Sequence, residues 1–364
     1  MNACSEPWRP RHILVTGGAG FIGANFVHWV AQHHPETHMT VLDLLTYAGK
    51  RESLEGVPNN QLTFVRGDIC DAALVESLAS PTGGMVGRGV PPVDAIVHFA
   101  AESHNDNAIA DATPFLRTNV LGTHVLLEAA RRHDLRFHHI STDEVYGDLP
   151  LPGESPDPDT DPSRATRFTE ESPYRPSSPY AASKAAADHL VRAWHRTYGL
   201  RTTISNCSNN YGPYQHVEKY IPRQITNILC GRRPRLYGDG RAIRDWIHVA
   251  DHCSAVWAIL TRGAIGETYI VGADGERSNL EVLGGILQVM GRPADDFEHV
   301  TDRPGADGRY ALAATKLKRD LQWHPEHTDF ARGLEETIRW YADHESWWRG
   351  DKEGTERRYL RQGH

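Results

Sequence analysis

Short apolar runs alternate with longer amphipathic stretches along the first half of the chain. The runs that predict buried parallel strands are His12–Thr16, Met39–Leu42, Leu62–Arg66, Ala95–Phe99, Phe137–Ser141 and Thr202–Asn206. Between them, Phe21–His33 and Asn119–His133 have the length and the pattern of helices. Strands that alternate with helices in this way predict an α/β fold built on a Rossmann-type, doubly wound parallel sheet.

The alternation weakens after residue 212, where short strands such as Arg235–Tyr237 mix with helices such as Val249–Arg262. We therefore expect a Rossmann domain over residues 1–212 and a smaller mixed α/β lobe over residues 213–364, interleaved with the first. The segment 147–179 is rich in Pro, Asp and Ser. An irregular segment of that length in a compact domain is usually functional, so we expect it to line the site.

Composition narrows the class of protein. The chain of 364 residues has a formal net charge of -8 and a pI near 6.2, which argues against nucleic-acid and membrane partners. Its five cysteines are scattered and include no C-x-x-C pair, so we expect neither disulfides nor a metal site. The polar N-terminus and the lack of a long apolar run fit a cytoplasmic protein.

A glycine-rich turn follows the first predicted strand. Gly17, Gly20 and Gly23 lie in the string TGGAGFIG, directly before the first predicted helix. Such glycines let the backbone approach a pyrophosphate, and the helix N-terminus offers N–H groups to its charge. Asp43 follows about 20 residues later, where a carboxylate binds the adenosine ribose and disfavours a 2′-phosphate. The turn therefore predicts NAD, whereas Asp68 fits either an adenine contact or a helix cap.

Two further groups of residues indicate acid–base chemistry. Tyr180 and Lys184 are four residues apart in a predicted helix, so they share one face, where the ammonium should lower the pKa of the phenol. Such a tyrosine can take a hydroxyl proton while hydride leaves the same carbon. Asp143 and Glu144 follow the fifth strand, where ligands of such sheets bind. Adjacent carboxylates repel, so one keeps its proton and the pair can remove water. Taken alone, the pair fits helix-capping acids on a loop equally well.

Longer motifs carry a resemblance over about residues 12–335. They are AAESH (Ala100–His104), STDEVYG (Ser141–Gly147), SPYAASK (Ser178–Lys184), NCSNNYGPYQ (Asn206–Gln215), EKYIP (Glu218–Pro222), YGDGRAIRDW (Tyr237–Trp246) and DRPGADGRY (Asp302–Tyr310). With the glycine turn and the Tyr-Lys pair, the chain resembles the dTDP-glucose 4,6-dehydratase family of the extended short-chain dehydrogenase/reductase superfamily.

The resemblance implies that a nucleotide-activated hexose, with dTDP-D-glucose as the leading candidate, is converted to its 4-keto-6-deoxy form. Tyr180 would be the base for oxidation at C4, with Thr142 bonded to the reacting oxygen and Lys184 at the nicotinamide ribose. Glu144 would take the C5 proton and Asp143 would protonate the leaving C6 hydroxyl. Hydride would then return to C6, so that NAD+ is regenerated.

The resemblance, together with the glycine turn, implies two sets of binding residues and a homodimer. Those expected at NAD are Gly17, Gly20, Phe21, Ile22, Gly23, Asp43, Leu44, Thr46, Asp68, Ile69, Ala100, Ala101, Thr118, Tyr180, Lys184 and Asn210. Those expected at the sugar nucleotide are Ser103, Thr142, Asn209, Lys219, Tyr220, Arg235, Tyr237, Arg244, Asn279 and Arg303. The guanidinium forks of Arg244 and Arg303 suit diphosphate oxygens. The dimer would form through the helices at about 119–133 and 181–198.

Several positions depart from the usual family pattern. Asn105 and Asn107 stand where the family usually has Val and Arg, Leu44 where it has Lys, and Ala306 where it has His. Two alternative functions remain open. One is a UDP-sugar 4-epimerase or UDP-glucuronate decarboxylase, which normally lacks the Asp-Glu pair. The other is a non-catalytic, NAD-binding regulatory protein.

Overall fold

The computed structural model describes residues 8–82, 89–152, 167–301 and 307–361. The strands in these ranges are β1 (His12–Thr16), β2 (His38–Asp43), β3 (Leu62–Arg66), β4 (Ala95–His98), β5 (Arg136–Thr142), β6 (Thr202–Cys207), β7 (Asn209–Tyr211), β8 (Arg235–Tyr237), β9 (Ile243–His248), β10 (Thr268–Val271), β11 (Glu276–Ser278) and β12 (Glu298–Val300). Seven of them form one sheet in the order β10-β6-β5-β4-β1-β2-β3, and every neighbouring pair is parallel. The predicted Rossmann-type sheet is confirmed.

Helices cover both faces of this sheet and build the rest of the molecule. They are α1 (Phe21–His33), α2 (Ala72–Ala79), α3 (Asn105–Ala110), α4 (Thr113–Phe115), α5 (Thr123–Arg132), α6 (Pro179–Tyr198), α7 (Tyr220–Leu229), α8 (Val249–Arg262), α9 (Asn279–Val289), α10 (Thr315–Leu321), α11 (Phe330–Asp343) and α12 (Glu345–Arg361). A π-helical turn, Leu116–Gly122, joins α4 to α5. It occupies the start of the single helix predicted over 119–133. None of the described helices is both long and apolar enough to cross a lipid bilayer.

The core of the sheet explains why its strands read as continuous apolar runs. All five residues of β1 are buried, and successive side chains point to opposite faces of the sheet. Ile13 and Val15 pack in one apolar cluster with residues of α1 and α8, whereas Leu14 packs in a second cluster with residues of α2 and α5. A parallel strand with helices on both faces needs apolar residues at every position.

The chain beyond residue 212 divides its elements between two places. Strand β10 lies at the edge of the main sheet, and Trp257 of α8 packs in the same cluster as Trp29 of α1. A three-stranded sheet, β11-β9-β7, and a two-stranded sheet, β12-β8, form a smaller mixed layer. Residues after 212 thus contribute a strand and a helix to the first sheet and its core. The division into two lobes at residue 212 stays a prediction.

The C-terminal helix and the long loop both approach the cleft above the main sheet. In α12, the side chains of Trp348, Lys352 and Tyr359 are all fully buried. In the segment 147–179, the described residues form no helix or strand before α6, although Phe168 makes one bridge to Leu312. Much of that segment, 153–166, lies outside the described residues, as do 83–88 and 302–306.

Candidate active site

A cavity of about 370 Å³ opens at the carboxyl ends of the central strands. This is where ligands of doubly wound sheets bind, because the strand order reverses there and leaves a crevice. Every residue predicted to contact the cofactor lines it, from Gly17 at the end of β1 to Asn210 in β7. The three predicted catalytic residues at the end of β5, Thr142, Asp143 and Glu144, line it too, as do Tyr180 and Lys184 of α6.

The glycine turn needs glycine for two separate reasons. Gly17 has a φ of +70°, and a Cβ on it would lie 2.5 Å from the backbone nitrogen of Ala100. A Cβ on Gly23 would lie 2.2 Å from the carbonyl oxygen of Gly17, so α1 could not pack as closely on β1. The N-terminus of α1 has no side-chain cap at Gly20, which leaves its first N–H groups for an anion in the cavity.

The two predicted adenosine-side carboxylates are held in different ways. Asp43 ends β2, and its carboxylate accepts hydrogen bonds from the backbone N–H groups of Ala19, at 3.0 Å, and Leu45, at 2.8 Å. Burial raises the pKa of Asp43, and these two amides oppose that rise. Asp68 accepts from the Cys70 N–H at 2.8 Å and pairs with Arg117 at 2.7 Å. Both carboxylates are therefore fixed at the rim of the cavity.

Tyr180 and Lys184 lie on one face of α6, as their spacing predicts, but the pKa of the phenol is raised rather than lowered. Burial raises the pKa of Tyr180 well above its ordinary value, the nearby Glu144 adds to that rise, and a hydrogen bond with Thr142 opposes it. The Lys184 ammonium instead donates to the carbonyl oxygen of Ile140 at 2.7 Å. The structure thus corrects the expected effect on the pKa, because the lysine is directed at the backbone of β5.

A buried network supports that lysine, and it was not foreseen from the sequence. Asp188 lies one helical turn after Lys184 and accepts hydrogen bonds from Ser141 at 2.9 Å and Tyr174 at 2.7 Å. Its other oxygen lies 3.3 Å from Nε2 of His139. Burial lowers the pKa of Lys184 to about 8, and the Asp188 charge opposes that shift. Asp188 is a supporting residue beneath the site.

Asp143 and Glu144 occupy a short 3₁₀ turn, Asp143–Tyr146, which starts where β5 ends. Burial raises the pKa of Asp143 well above its ordinary value, and the charges of Glu144 and Asp245 add to the rise. One of its oxygens accepts from the Thr142 hydroxyl at 3.2 Å, and the other has no hydrogen-bond partner among the described residues. These surroundings therefore favour the protonated form of Asp143.

Glu144 is held differently. Burial raises its pKa, but a hydrogen bond from Asn105 and the charges of Lys219 and Arg244 oppose that rise. The Nδ2 atom of Asn105 lies 3.0 Å from Oε2 of Glu144. Cationic and donor groups favour the ionised carboxylate. The two adjacent acids thus have environments that push their protonation apart, as an acid and a base require.

A second cavity, of about 260 Å³, meets the first at Glu144, which lines both. The predicted sugar-nucleotide residues that line one or both cavities are Ser103, Thr142, Asn209, Lys219, Tyr220, Tyr237, Arg244 and Asn279. Arg235 lines neither and lies 3.8 Å from Glu298 on the paired strand β12. Arg303 and Ala306 lie outside the described residues.

Several residues of the second cavity were not predicted. Asn105, Ser178 and Tyr310 line it, and so does Tyr359 of the C-terminal helix. Tyr310 lies in a motif that carried the resemblance, so the sequence held a signal for it. Tyr359 had none, because only the packing of α12 brings it to the cleft.

A parallel sheet in this order, a glycine turn at its switch point and a Tyr-Lys pair on one helix define an extended short-chain dehydrogenase/reductase. Residues 14–337 match the family model described as GDP-mannose 4,6 dehydratase. The chain is 58% identical over 351 residues to the dTDP-glucose 4,6-dehydratase of Mycolicibacterium smegmatis. This match covers 96% of this chain and 99% of the relative. It is 45% identical to an Escherichia coli dTDP-glucose 4,6-dehydratase, over 94% and 97% of the two chains. The chain belongs to the dTDP-glucose 4,6-dehydratase family.

Solved structures agree with this assignment. The dTDP-glucose 4,6-dehydratase of Streptomyces venezuelae, solved with NAD and dTDP bound, matches with a TM-score of 0.82 and 45% identity, over 93% of this chain and 98% of that one. A UDP-glucose 4-epimerase of Thermus thermophilus, solved with NAD, matches with a TM-score of 0.77 and 30% identity, over 92% and 99%. The two folds are nearly equal in similarity, so sequence identity and the site separate dehydratase from epimerase.

Proposed function

We propose that this enzyme dehydrates dTDP-D-glucose to dTDP-4-keto-6-deoxy-D-glucose, with NAD+ regenerated in each cycle. The observation that carries the proposal is the pair Asp143 and Glu144, which lies beside Tyr180 where the two cavities meet. Oxidation at a sugar carbon needs one base for the hydroxyl proton, and Tyr180 can supply it. Loss of water from the neighbouring carbons needs a further acid and a further base. The pair therefore favours a dehydratase over an epimerase or a decarboxylase.

The residues of the first cavity fit NAD. The glycine turn leaves no room for a Cβ at Gly17 or Gly23, and the uncapped start of α1 offers N–H groups to a pyrophosphate. The Asp43 carboxylate at the end of β2 suits a ribose with free hydroxyls. NAD+ bound there would accept hydride from C4 and, once reduced, would return that hydride to C6.

Tyr180 and Thr142 act at the C4 hydroxyl of the sugar. Both side chains line the first cavity, and the Thr142 hydroxyl lowers the pKa of the phenol, so the two lie close enough to act on one substrate oxygen. Tyr180 takes the hydroxyl proton as C4 is oxidised. The Lys184 ammonium stays close beneath them, fixed by the Ile140 carbonyl and by the Asp188 network.

Asp143 and Glu144 then remove water across C5 and C6. A ketone at C4 acidifies the C5 hydrogen, and the Glu144 carboxylate, whose charge is favoured by Asn105, Lys219 and Arg244, takes that proton. Asp143, which holds a proton, gives it to the C6 hydroxyl as that group leaves as water. After hydride return to C6, Glu144 gives its proton back to C5. The proton that Tyr180 took from the C4 hydroxyl equals the one that Asp143 lost with the leaving water, so its release to solvent and the uptake of one proton by Asp143 restore both side chains.

The second cavity suits the nucleotide diphosphate. Arg244 lines it and packs 4.5 Å from the centre of the Tyr310 ring, while Lys219 lines both cavities. A cationic wall next to aromatic side chains fits a diphosphate and a base. Thymidine is the nucleotide we propose, in keeping with the relatives.

Mass analysis of the product tests the proposed function. The purified enzyme is incubated with dTDP-glucose, UDP-glucose and GDP-mannose in parallel, and Tyr180→Phe serves as the inactive control. We expect a product lighter by one water, formed fastest from dTDP-glucose and absent with the control variant. A product of unchanged mass would indicate epimerisation and would overturn the proposal.

We also propose a cytoplasmic homodimer. The four described cysteines, Cys70, Cys207, Cys230 and Cys253, form no disulfide, which supports a reducing compartment. Leu116 and Leu121 on the π-helical turn are 56% and 48% exposed, and Tyr198 on α6 is 53% exposed. Large exposed apolar side chains on and beside the two helices expected at the interface support a dimer. A monomeric mass by light scattering would contradict it.

A further inference from the structure

Asn105 opens helix α3 and contacts the predicted C5 base. Its Nδ2 atom donates to Oε2 of Glu144 at 3.0 Å, across 39 residues of sequence. The side chain lines the second cavity with Glu144, so the contact lies at the junction of the two cavities. The sequence marked this position only as a departure, because the family usually has Val there.

The start of α6 fixes the orientation of this amide. The Ser178 hydroxyl accepts from the N–H of Ala181 at 3.1 Å as the N-cap of α6. Its own hydrogen is donated to Oδ1 of Asn105, also at 3.1 Å. With Oδ1 used as an acceptor, the NH2 group must face Glu144. The helix that carries Tyr180 and Lys184 therefore also sets the position of Glu144.

The other charged and titratable groups around Glu144 come from every side of the cleft. Lys219 and Arg244 favour its charge, and Asp307 disfavours it. Its own turn contributes Asp143, and Tyr180 and Tyr310 also face it. Among the side chains that favour the charge, Asn105 is the neutral one that makes a direct hydrogen bond at the carboxylate. This hydrogen bond gives direction to the carboxylate.

Building on the proposed function, we propose that Asn105 is a positioning residue that keeps Glu144 ionised and aims its carboxylate into the cleft. Asp143 receives no amide donor and accepts only the Thr142 hydroxyl among the described residues. Together with the charges of Lys219 and Arg244, the Asn105 amide therefore makes the two adjacent acids unequal before substrate arrives.

The test is the pH profile of kcat with dTDP-glucose for Asn105→Ala and Asn105→Asp. Loss of one hydrogen bond to a carboxylate shifts its pKa by roughly one to two units. Glu144 must be ionised to act as a base, so the acidic limb of kcat should move upward by about one unit or more. At pH values below the pKa of the base, kcat of the variants should be roughly tenfold lower than that of the unmodified enzyme, with a smaller change in KM. Asn105→Asp keeps the size of the side chain and adds a like charge, so its shift should be at least as large.

Asn107→Ala is the matched control, since Asn107 lies on the same helix and is equally half-buried. Its acidic limb should coincide with that of the unmodified enzyme. An unmoved limb in both Asn105 variants, in a preparation whose unmodified enzyme forms the dehydrated product, would overturn the role of Asn105. An unmodified enzyme that forms no dehydrated product would instead overturn the proposed function, so the two failures are distinguished.

Discussion

Replacing Asp188 by Asn should weaken both the fold and the alkaline side of catalysis. The carboxylate is completely buried, accepts hydrogen bonds from Ser141 and Tyr174, and lies 3.3 Å from Nε2 of His139. Burial alone would raise its pKa, but His139 and the Lys184 charge hold that pKa below its ordinary value, so Asp188 is ionised. Removing one partner of a buried charged network costs about 3–5 kcal/mol. With a urea m-value of about 3 kcal/mol/M, the unfolding midpoint should fall by roughly 1 M.

The same variant should change Lys184. Its pKa is about 8 because burial lowers it, and Asp188 keeps it from falling further. Without the carboxylate that pKa falls, so the ammonium is lost at a lower pH. The alkaline limb of kcat should therefore move to lower pH, because the charged form exists only below the pKa.

Urea titration followed by circular dichroism, and the pH profile of kcat, measure the two effects. Arg196→Gln is the control, since Arg196 is exposed near the end of the same helix. Asp188→Asn should shift the midpoint, and Arg196→Gln should leave it within experimental error. An Asp188→Asn enzyme with the midpoint and the alkaline limb of the control would refute the reasoning about this network.

Three further predictions concern the acid, the cofactor turn and the C-terminal helix. Asp143→Asn should lower kcat by about 10²- to 10⁴-fold with little change in KM, because an acid acts in the transition state; steady-state kinetics showing a loss below tenfold would count against it. Gly23→Ala should release NAD during gel filtration, since its Cβ would lie 2.2 Å from the Gly17 oxygen, and full retention of NAD would argue against the turn as the binding site. Trp348→Ala should cost about 3–5 kcal/mol of unfolding free energy, because its ring is fully buried; an unchanged urea midpoint would mean that α12 does not stabilise the fold.

The sheet and the cofactor side of the cleft were predictable from the sequence because their signals are local. Strands β1 and β3 and helix α1 have the predicted bounds, since continuous apolar runs and a glycine turn leave few other structures. The carboxyl ends of parallel strands share one edge of the sheet. Residues that follow those strands therefore line one cavity without any knowledge of longer-range packing.

The remaining contacts depend on pairings between distant segments, which periodicity does not encode. Asn105 meets Glu144 only because α3 packs beside the start of α6, and His139 meets Asp188 only through the packing of α6 on β5. Arg235 lies 3.8 Å from Glu298 because β8 pairs with β12, and its place at the nucleotide stays a prediction. The pKa of Tyr180 was expected to be lowered by Lys184, whereas burial raises it. Spacing along a helix gives neither the depth of burial of the phenol nor the direction of the lysine side chain.

The central claim is that hydride leaves C4 and returns to C6 of the same sugar while water is lost. The most direct measurement uses dTDP-glucose labelled with deuterium at C4, incubated with the enzyme in ordinary water and examined by NMR and mass spectrometry. We predict a product lighter by one water that carries the label at C6. A product that keeps the label at C4, or loses it to solvent, would contradict the account.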